Sequence, residues 1–187
     1  MGNAIEHLQK ALKINPDFAE AHYKLAGLFD EKNDYKSAKK HYLKSIDLKK
    51  DFDKAFFKLA TMLKRKKNYK ESKKYYEKAI EVNSNFAIAH YELGLLLVIL
   101  KEFDNAKTHL EKATDLDQNF DDAYYQLASI LKDPEEFDKA KKNYETAIDI
   151  NSKHLLAHYY LGKLLVGGYQ LDEDGSRVNK PDIDNAK

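Results

Sequence analysis

The side chains of this 187-residue chain that could do chemistry are seven histidines, 31 Asp and Glu, and the basic run Lys64-Arg65-Lys66-Lys67. Metal ligation would need several histidines to converge on one point. Instead His22, His90 and His158 share one register along the chain and His7, His41 and His109 share another. Residues spread in this way read as packing or surface groups. The carboxylates sit in charged stretches such as "DEKNDYK" and "DPEEFDKAKK", which read as solvated faces. "DEDG" at 172–175 resembles a calcium loop only in part. With Gly175 at the sixth loop position, Gln170 and Pro181 stand where both terminal acidic ligands belong. The basic run closes a helix, where cations meet the negative end of its dipole. No glycine-rich phosphate loop, Gly-x-Ser-x-Gly elbow or HExxH is present. These residues predict no enzyme activity, no metal and no cofactor.

Composition narrows the field further. Lys and Arg total 32 against 31 acidic residues, and the net charge of +1 disfavours a general polyanion binder. The absence of cysteine excludes disulfides and thiol chemistry. The longest apolar run, "LLLVIL" at 95–100, is far too short for a membrane span. "MGNAIEH" has no signal-peptide core, and Glu6 stands where a myristoylation site wants Ser or Thr. The reading is a helix-rich, soluble segment with no membrane role, expected in the cytoplasm.

The elements that position these side chains come from a repeat. "AHYKL" at 21–25 returns as "AFFKL" at 55, "AHYEL" at 89, "AYYQL" at 123 and "AHYYL" at 157, each 34 residues after the last. Phe18, Phe52, Phe86 and Phe120 keep the same interval, with His154 continuing it. So do Tyr35, Tyr69, Phe103 and Phe137, and Ala38, Ser72, Ala106 and Ala140. Within each unit the Ala, aromatic, Leu and Ala/Gly positions form one helical stripe. Asn33-Asp34, Lys67-Asn68 and Pro134 interrupt it before a second helix starts. Each unit is therefore two helices of about 12–14 residues joined by a tight turn. Small residues such as Ala26, Ala60 and Gly94 allow close helix approach, and Leu25, Leu59, Leu93, Leu127 and Leu161 fill the core. One pair cannot bury its own stripe, so pairs must stack.

Period and markers resemble the tetratricopeptide repeat family; "AHYELGLLL" and "FDNAKTHLEKATDL", between residues 89 and 116, follow its pattern. The family's usual Trp is His22, Phe56, His90, Tyr124 and His158 here, and its terminal Pro survives only as Pro16. The resemblance implies an all-α fold, a right-handed α-solenoid of antiparallel helix pairs. The register divides the chain, taken as a single solenoid over 1–187, into a half repeat 1–18, full repeats 19–52, 53–86, 87–120 and 121–154, and a partial repeat 155–187. An insertion at about 167–182, read as a solvated loop, separates "IDNAK" at 183–187 from its helix. With no polar capping unit visible, a piece of a longer array is expected.

The resemblance also implies a function, a scaffold that binds a peptide segment or partner helix in a concave groove. Numbering first helices from Ala19, Asp53, Ala87, Asp121 and Leu155, the face opposite the core carries positions 2, 5, 9, 12 and 13. Position 5 supplies Tyr23, Phe57, Tyr91, Tyr125 and Tyr159. The second unit adds Lys54, Lys58, Thr61 and Arg65, and the third adds Ile88, Leu95, Val98 and Ile99. An apolar patch rimmed by charge marks an interaction site. Residues 53–86 carry 10 basic and 4 acidic side chains, against 3 and 6 in 87–120 and 5 and 8 in 121–154. A partner with apolar anchors beside acidic residues would fit. The carboxylate clamp of chaperone-tail binders would want Lys and Asn where Tyr23/Gly27 and Phe57/Thr61 stand, and is disfavoured. Two alternatives remain: head-to-tail homo-oligomers through uncapped ends, and single-stranded nucleic acid stacking on the tyrosines, which the acidic later repeats oppose.

Overall fold

The computed structural model describes residues 2–166, 170–171 and 177–178. They fall in two compact units, Met1–Glu102 and Phe103–Lys187. The first unit holds α1 (Gly2–Ile14), α2 (Ala19–Glu31), α3 (Tyr35–Leu48), α4 (Asp53–Arg65), α5 (Tyr69–Val82) and α6 (Ala87–Ile99). The second holds α7 (Phe103–Leu116), α8 (Asp121–Ile130), α9 (Phe137–Ile150) and α10 (Leu155–Val166). The fold is all-α helical pairs, as the 34-residue pattern requires. In the first unit α2 packs on α3 and α4 on α5, and α3 and α5 each pack on the helix that follows. In the second, α8 packs on α9 and α9 on α10.

Each helix boundary has a local cause. Asp34 and Asn68 cap α3 and α5, accepting from the Ser37 amide at 3.1 Å and the Glu71 amide at 3.4 Å. The turns inside the first-unit pairs are made by left-handed residues, Asn33 (φ 61°) and Lys67 (φ 58°), and Lys101 (φ 62°), just after α6, is left-handed too. There the amide of the next residue returns to the helix, as Asp34 N–H to Phe29 O at 2.9 Å and Asn68 N–H to Leu63 O at 3.0 Å.

The core is where the repeat places it. Leu25, Leu59, Leu93 and Leu127 are buried, and so are the small residues Ala26, Ala60, Gly94 and Ala128 beside them. Tyr42 and Tyr76 fill the space between helices of a pair in the first unit, and Tyr144 does so in the second. Ser72, which stands where other repeats carry alanine, is buried and donates to Ala60 O at 2.8 Å. Lysines at one repeat position reach a carboxylate in the following repeat: Lys39 to Glu71 at 2.8 Å, Lys73 to Glu102 at 2.7 Å and, in the second unit, Lys107 to Glu136. These pairs are a third or so exposed, so they set register more than they add stability.

Two expectations need correction. First, α8 has 10 residues rather than the 12–14 expected, stopping at Ile130. In α2, α4 and α6 the residue after the last helical one donates its amide four residues back: Lys32 to Leu28, Lys66 to Met62 and Leu100 to Leu96. The counterpart in the fourth repeat is Pro134, which has no N–H to give Ile130, and proline biases Asp133 away from helical backbone. The chain instead leaves the helix with Leu131 extended (ψ 92°) and forms a 3₁₀ turn over Pro134–Glu136. Second, the stretch read as a plain loop contains an antiparallel pair, Gln170–Leu171 (β1) with Arg177–Val178 (β2). The rest of that stretch and "IDNAK" lie outside the described residues.

Candidate functional site

The aromatic at position 5 is a wedge as well as a surface residue. Tyr23 lies 6.1 Å from Tyr42 on its own pair and 4.9 Å from Phe52 at the next turn. Phe57 repeats this with Tyr76 at 5.8 Å and Phe86 at 5.1 Å. In the second unit Tyr125 does so with Tyr144 at 6.0 Å and His154 at 5.1 Å. All three are half-buried, and burial pushes the Tyr23 and Tyr125 hydroxyls up, helped by Asp53 and by Tyr160 respectively. Tyr91 is half-buried too, whereas Tyr159 is exposed and meets Tyr160 edge-on at 5.1 Å.

The first unit brings the charged and apolar candidates together, since α2, α4 and α6 adjoin in order. Arg65 is occupied by Asp30, and Lys64 by Glu92. Thr61 donates to Phe57 O at 3.0 Å and accepts from the Tyr76 hydroxyl at 3.1 Å. Lys54 and Lys58 are exposed, and among the described residues neither side chain has an ion pair; the Lys58 ammonium lies 6.0 Å from the Phe57 ring. Lys24 is likewise exposed and, among the described residues, without an ion pair. It shares the repeat position of Lys58, the signal by which sequence reasoning could have found it. On α6, Leu93, Gly94, Leu96 and Leu97 are buried, Leu95 and Val98 are half-buried, and Ile88 and Ile99 are 41% and 51% exposed. Arg65 therefore contributes no free charge, while Lys24, Lys54 and Lys58 do.

The histidines acquire a structural role. His22, His90 and His158 each donate Nε2–H to the carbonyl six residues earlier: Pro16 at 3.0 Å, Ser84 at 3.2 Å and Ser152 at 3.1 Å. They clamp the turn that enters each unit. With Nε2 protonated, His22 Nδ1 accepts from His41 Nδ1 at 2.8 Å. Burial, then His22 and Lys40, hold the His41 pKa down.

Asp121, Asp122 and His154 place three potential metal-ligand atoms within 4.8 Å of one another. The hydrogen bonds oppose ligation. The Ala157 amide donates to His154 Nδ1 at 3.1 Å, so Nε2 is the protonated nitrogen; it lies 3.3 Å from Asp122 but makes no hydrogen bond to it. Asp121 is engaged by Asn151 at 2.6 Å. Among the described residues no helix is long and apolar enough to cross a membrane.

Comparison with known proteins agrees with this architecture. A TPR repeat model matches residues 2–29, and a tetratricopeptide repeat model matches 19–52, 53–86, 87–120 and 121–154. Among solved structures, the chain is similar to YrrB, described as a TPR protein with an unusual peptide-binding site. Identity is 26%, coverage 87% of this chain and 84% of that one, and the TM-score 0.75. PilF of Pseudomonas aeruginosa is similar at 25% identity, covering 88% and 78% of the two chains, with a TM-score of 0.75. The first TPR of Spaghetti (RPAP3), solved with an HSP90 peptide, shares the fold at 18% identity, 61% and 90% coverage and a TM-score of 0.58. No curated protein sequence gives a significant match. With four consecutive 34-residue matches over residues 19–154, the chain belongs to the tetratricopeptide repeat family.

Proposed function

We propose that the protein is a non-catalytic interaction scaffold that holds a peptide segment or partner helix against the first-helix face of α2, α4 and α6. The observation that carries this reading is that α4, with exposed Lys54 and Lys58, lies against α6, with exposed Ile88 and Ile99, and that among the described residues neither lysine has an ion pair. An exposed apolar patch beside unneutralised cations suits a segment with an apolar anchor and acidic neighbours. The peptide-bound state of a structural neighbour supports the class of partner and not its identity. The test is an array of short peptides in which one Leu or Phe precedes a run of Asp or Glu, probed with the parent, Leu95→Glu and Lys58→Glu. Leu95→Glu should lose the whole set, and Lys58→Glu should lose the acidic members selectively at low salt, where exposed charge is least screened. If both variants keep every peptide the parent binds, the assignment is wrong.

A second reading, association of copies head to tail, is favoured by one comparison. On α10, His158, Gly162 and Leu165 are exposed where His90, Gly94 and Leu97 on α6 are buried; for the leucines the values are 52% and 1%. α1, in turn, has no buried residue, where α3 buries Ala38, Tyr42 and Ser45. A first helix with an open face and a second helix with an open face are the two halves of one pair, and such a heterologous contact can propagate. Sedimentation velocity across protein concentration should give species larger than a monomer, reduced in Leu165→Glu. A monomer at every concentration removes this reading.

A further inference from the structure

The unwound end of α8 leaves a cleft of about 340 Å³ in the second unit, and nothing assigned so far uses it. Its origin is the missing Pro134 amide. Without the bond to Ile130, residues 131–133 leave the helical path, and a second cleft of about 310 Å³ is lined in part by Ile130, Lys132 and Asp133. The larger cleft has apolar walls: Leu131 beneath, Leu164 from α10, and the rings of Tyr144 and Tyr160, nearly parallel at 6.5 Å and 12°. Tyr144 is buried, and burial, then Tyr125 and Tyr160, push its hydroxyl up to about 12, as a dry wall would. Tyr160 is 36% exposed, so one wall faces the opening. At the rim stand Lys132 and Lys163, exposed and without an ion pair among the described residues, with Asp133 beside them. In repeat numbering Lys163 is position 9 of its helix, as Leu95 is on α6, whereas Lys132 and Asp133, at positions 12 and 13, lie past the end of α8.

We propose that this cleft is an anchor pocket for one aromatic side chain of a partner segment, with an adjacent carboxylate of that segment meeting Lys132 and Lys163. Volume, walls and rim each contribute to this choice. The space suits one large side chain; offset aromatic packing against Tyr144 and Tyr160 favours a ring over an aliphatic group. The two ammonium groups against one carboxylate leave the rim positive, which selects an anion next to the ring. The pocket rests on the scaffold reading above, but it lies on different residues, in the other unit.

The chain contains no tryptophan, so a tryptophan-bearing probe reports on the pocket without background. The probe is acetyl-Glu-Trp-Glu-amide, titrated with the parent protein while its emission is followed. A saturable shift to shorter wavelength, with a dissociation constant below about 1 mM, is the expected result. Pro134→Ala returns the missing N–H and a strong helix former, so α8 should extend and fill the space; slower amide exchange at residues 131–135 verifies the extension. Affinity should then fall at least about tenfold, a change of roughly 1.4 kcal/mol. Ser129→Phe, at a half-exposed wall position, should fill the cleft with α8 left as it is and give the same loss. Lys163→Glu should weaken binding, more at low salt than at high. Leu95→Glu should leave the probe untouched, which separates this site from the first-unit face. No saturable shift with the parent overturns the proposal. Equal affinity in parent and Ser129→Phe, or in a Pro134→Ala protein whose exchange has slowed, also overturns it.

Discussion

Leu93→Ala should cost about 2–5 kcal/mol of unfolding free energy, and Leu161→Ala, at the same repeat position, clearly less. Leu93 is fully buried on α6, among Leu96, Leu97 and the helices of the preceding pair, so truncation removes its transfer energy and leaves a cavity. Leu161 on α10 is only half-buried, and the face beside it at Gly162 is open, with nothing within 4 Å of where a Cβ would stand. Atoms that water already reaches lose little on deletion. Urea unfolding of both variants against the parent, followed by helical circular dichroism, makes the comparison. Equal losses, or a larger one at Leu161, would mean that something outside the described residues packs that helix.

The protein should lose stability steeply above pH 10, by up to about 1.4 kcal/mol per pH unit for each buried tyrosine. Burial raises the hydroxyl pKa of Tyr42, Tyr76 and Tyr144 well above the ordinary value of 10.0. The sign follows from proton counting. Once the pH passes 10, tyrosines of the unfolded chain release protons that the folded chain retains, so each further unit favours unfolding. The contribution is complete below pH 10 and is lost as the pH climbs toward the folded values. Against a total of roughly 5–15 kcal/mol, three such groups decide whether the fold survives in alkali. Tyr76→Phe keeps the ring contact with Phe57 and removes the titrating hydroxyl, along with its hydrogen bonds to Thr61 at 3.1 Å and Glu92 at 3.5 Å. Its stability should therefore decline with a shallower slope than the parent's between pH 10 and 11.5, and Tyr42→Phe should behave alike. Parallel slopes in parent and variants would refute the argument. The comparison also cancels lysine titration, which is common to all three proteins.

Sequence by itself determined the helices and most of the core, because both follow from local rules that a 34-residue period repeats. A residue's place in the period fixes which way it faces its own pair and the next. Leu93 and Leu127 are buried for the same reason, and small residues, alanine, glycine or the buried Ser72, recur at the same repeat positions. Even α6, apolar almost throughout, divides by helical geometry into buried Leu93, Leu96 and Leu97 and exposed Ile88 and Ile99. Pro134 was visible as an interruption. Whether it would merely mark a turn or shorten α8 depended on a bond between its absent N–H and the Ile130 carbonyl, which is a matter of three-dimensional register.

Tertiary structure alone decided how the polar side chains are spent. Repeat position made Lys54, Lys58, Lys64 and Arg65 look alike, yet Lys64 is neutralised by Glu92 and Arg65 by Asp30, 28 and 35 residues away. The histidines show the same limit. Their period marked them as structural, but the carbonyl each one holds, and the proton that keeps His154 from acting as a metal ligand, were set by neighbours in space. Burial follows from the period wherever a repeat meets the same apolar neighbours, as Leu93 and Leu127 do and Leu165 does not. Charge pairing and hydrogen bonding do not, because each depends on one partner atom brought within about 3 Å by the packing of a different helix.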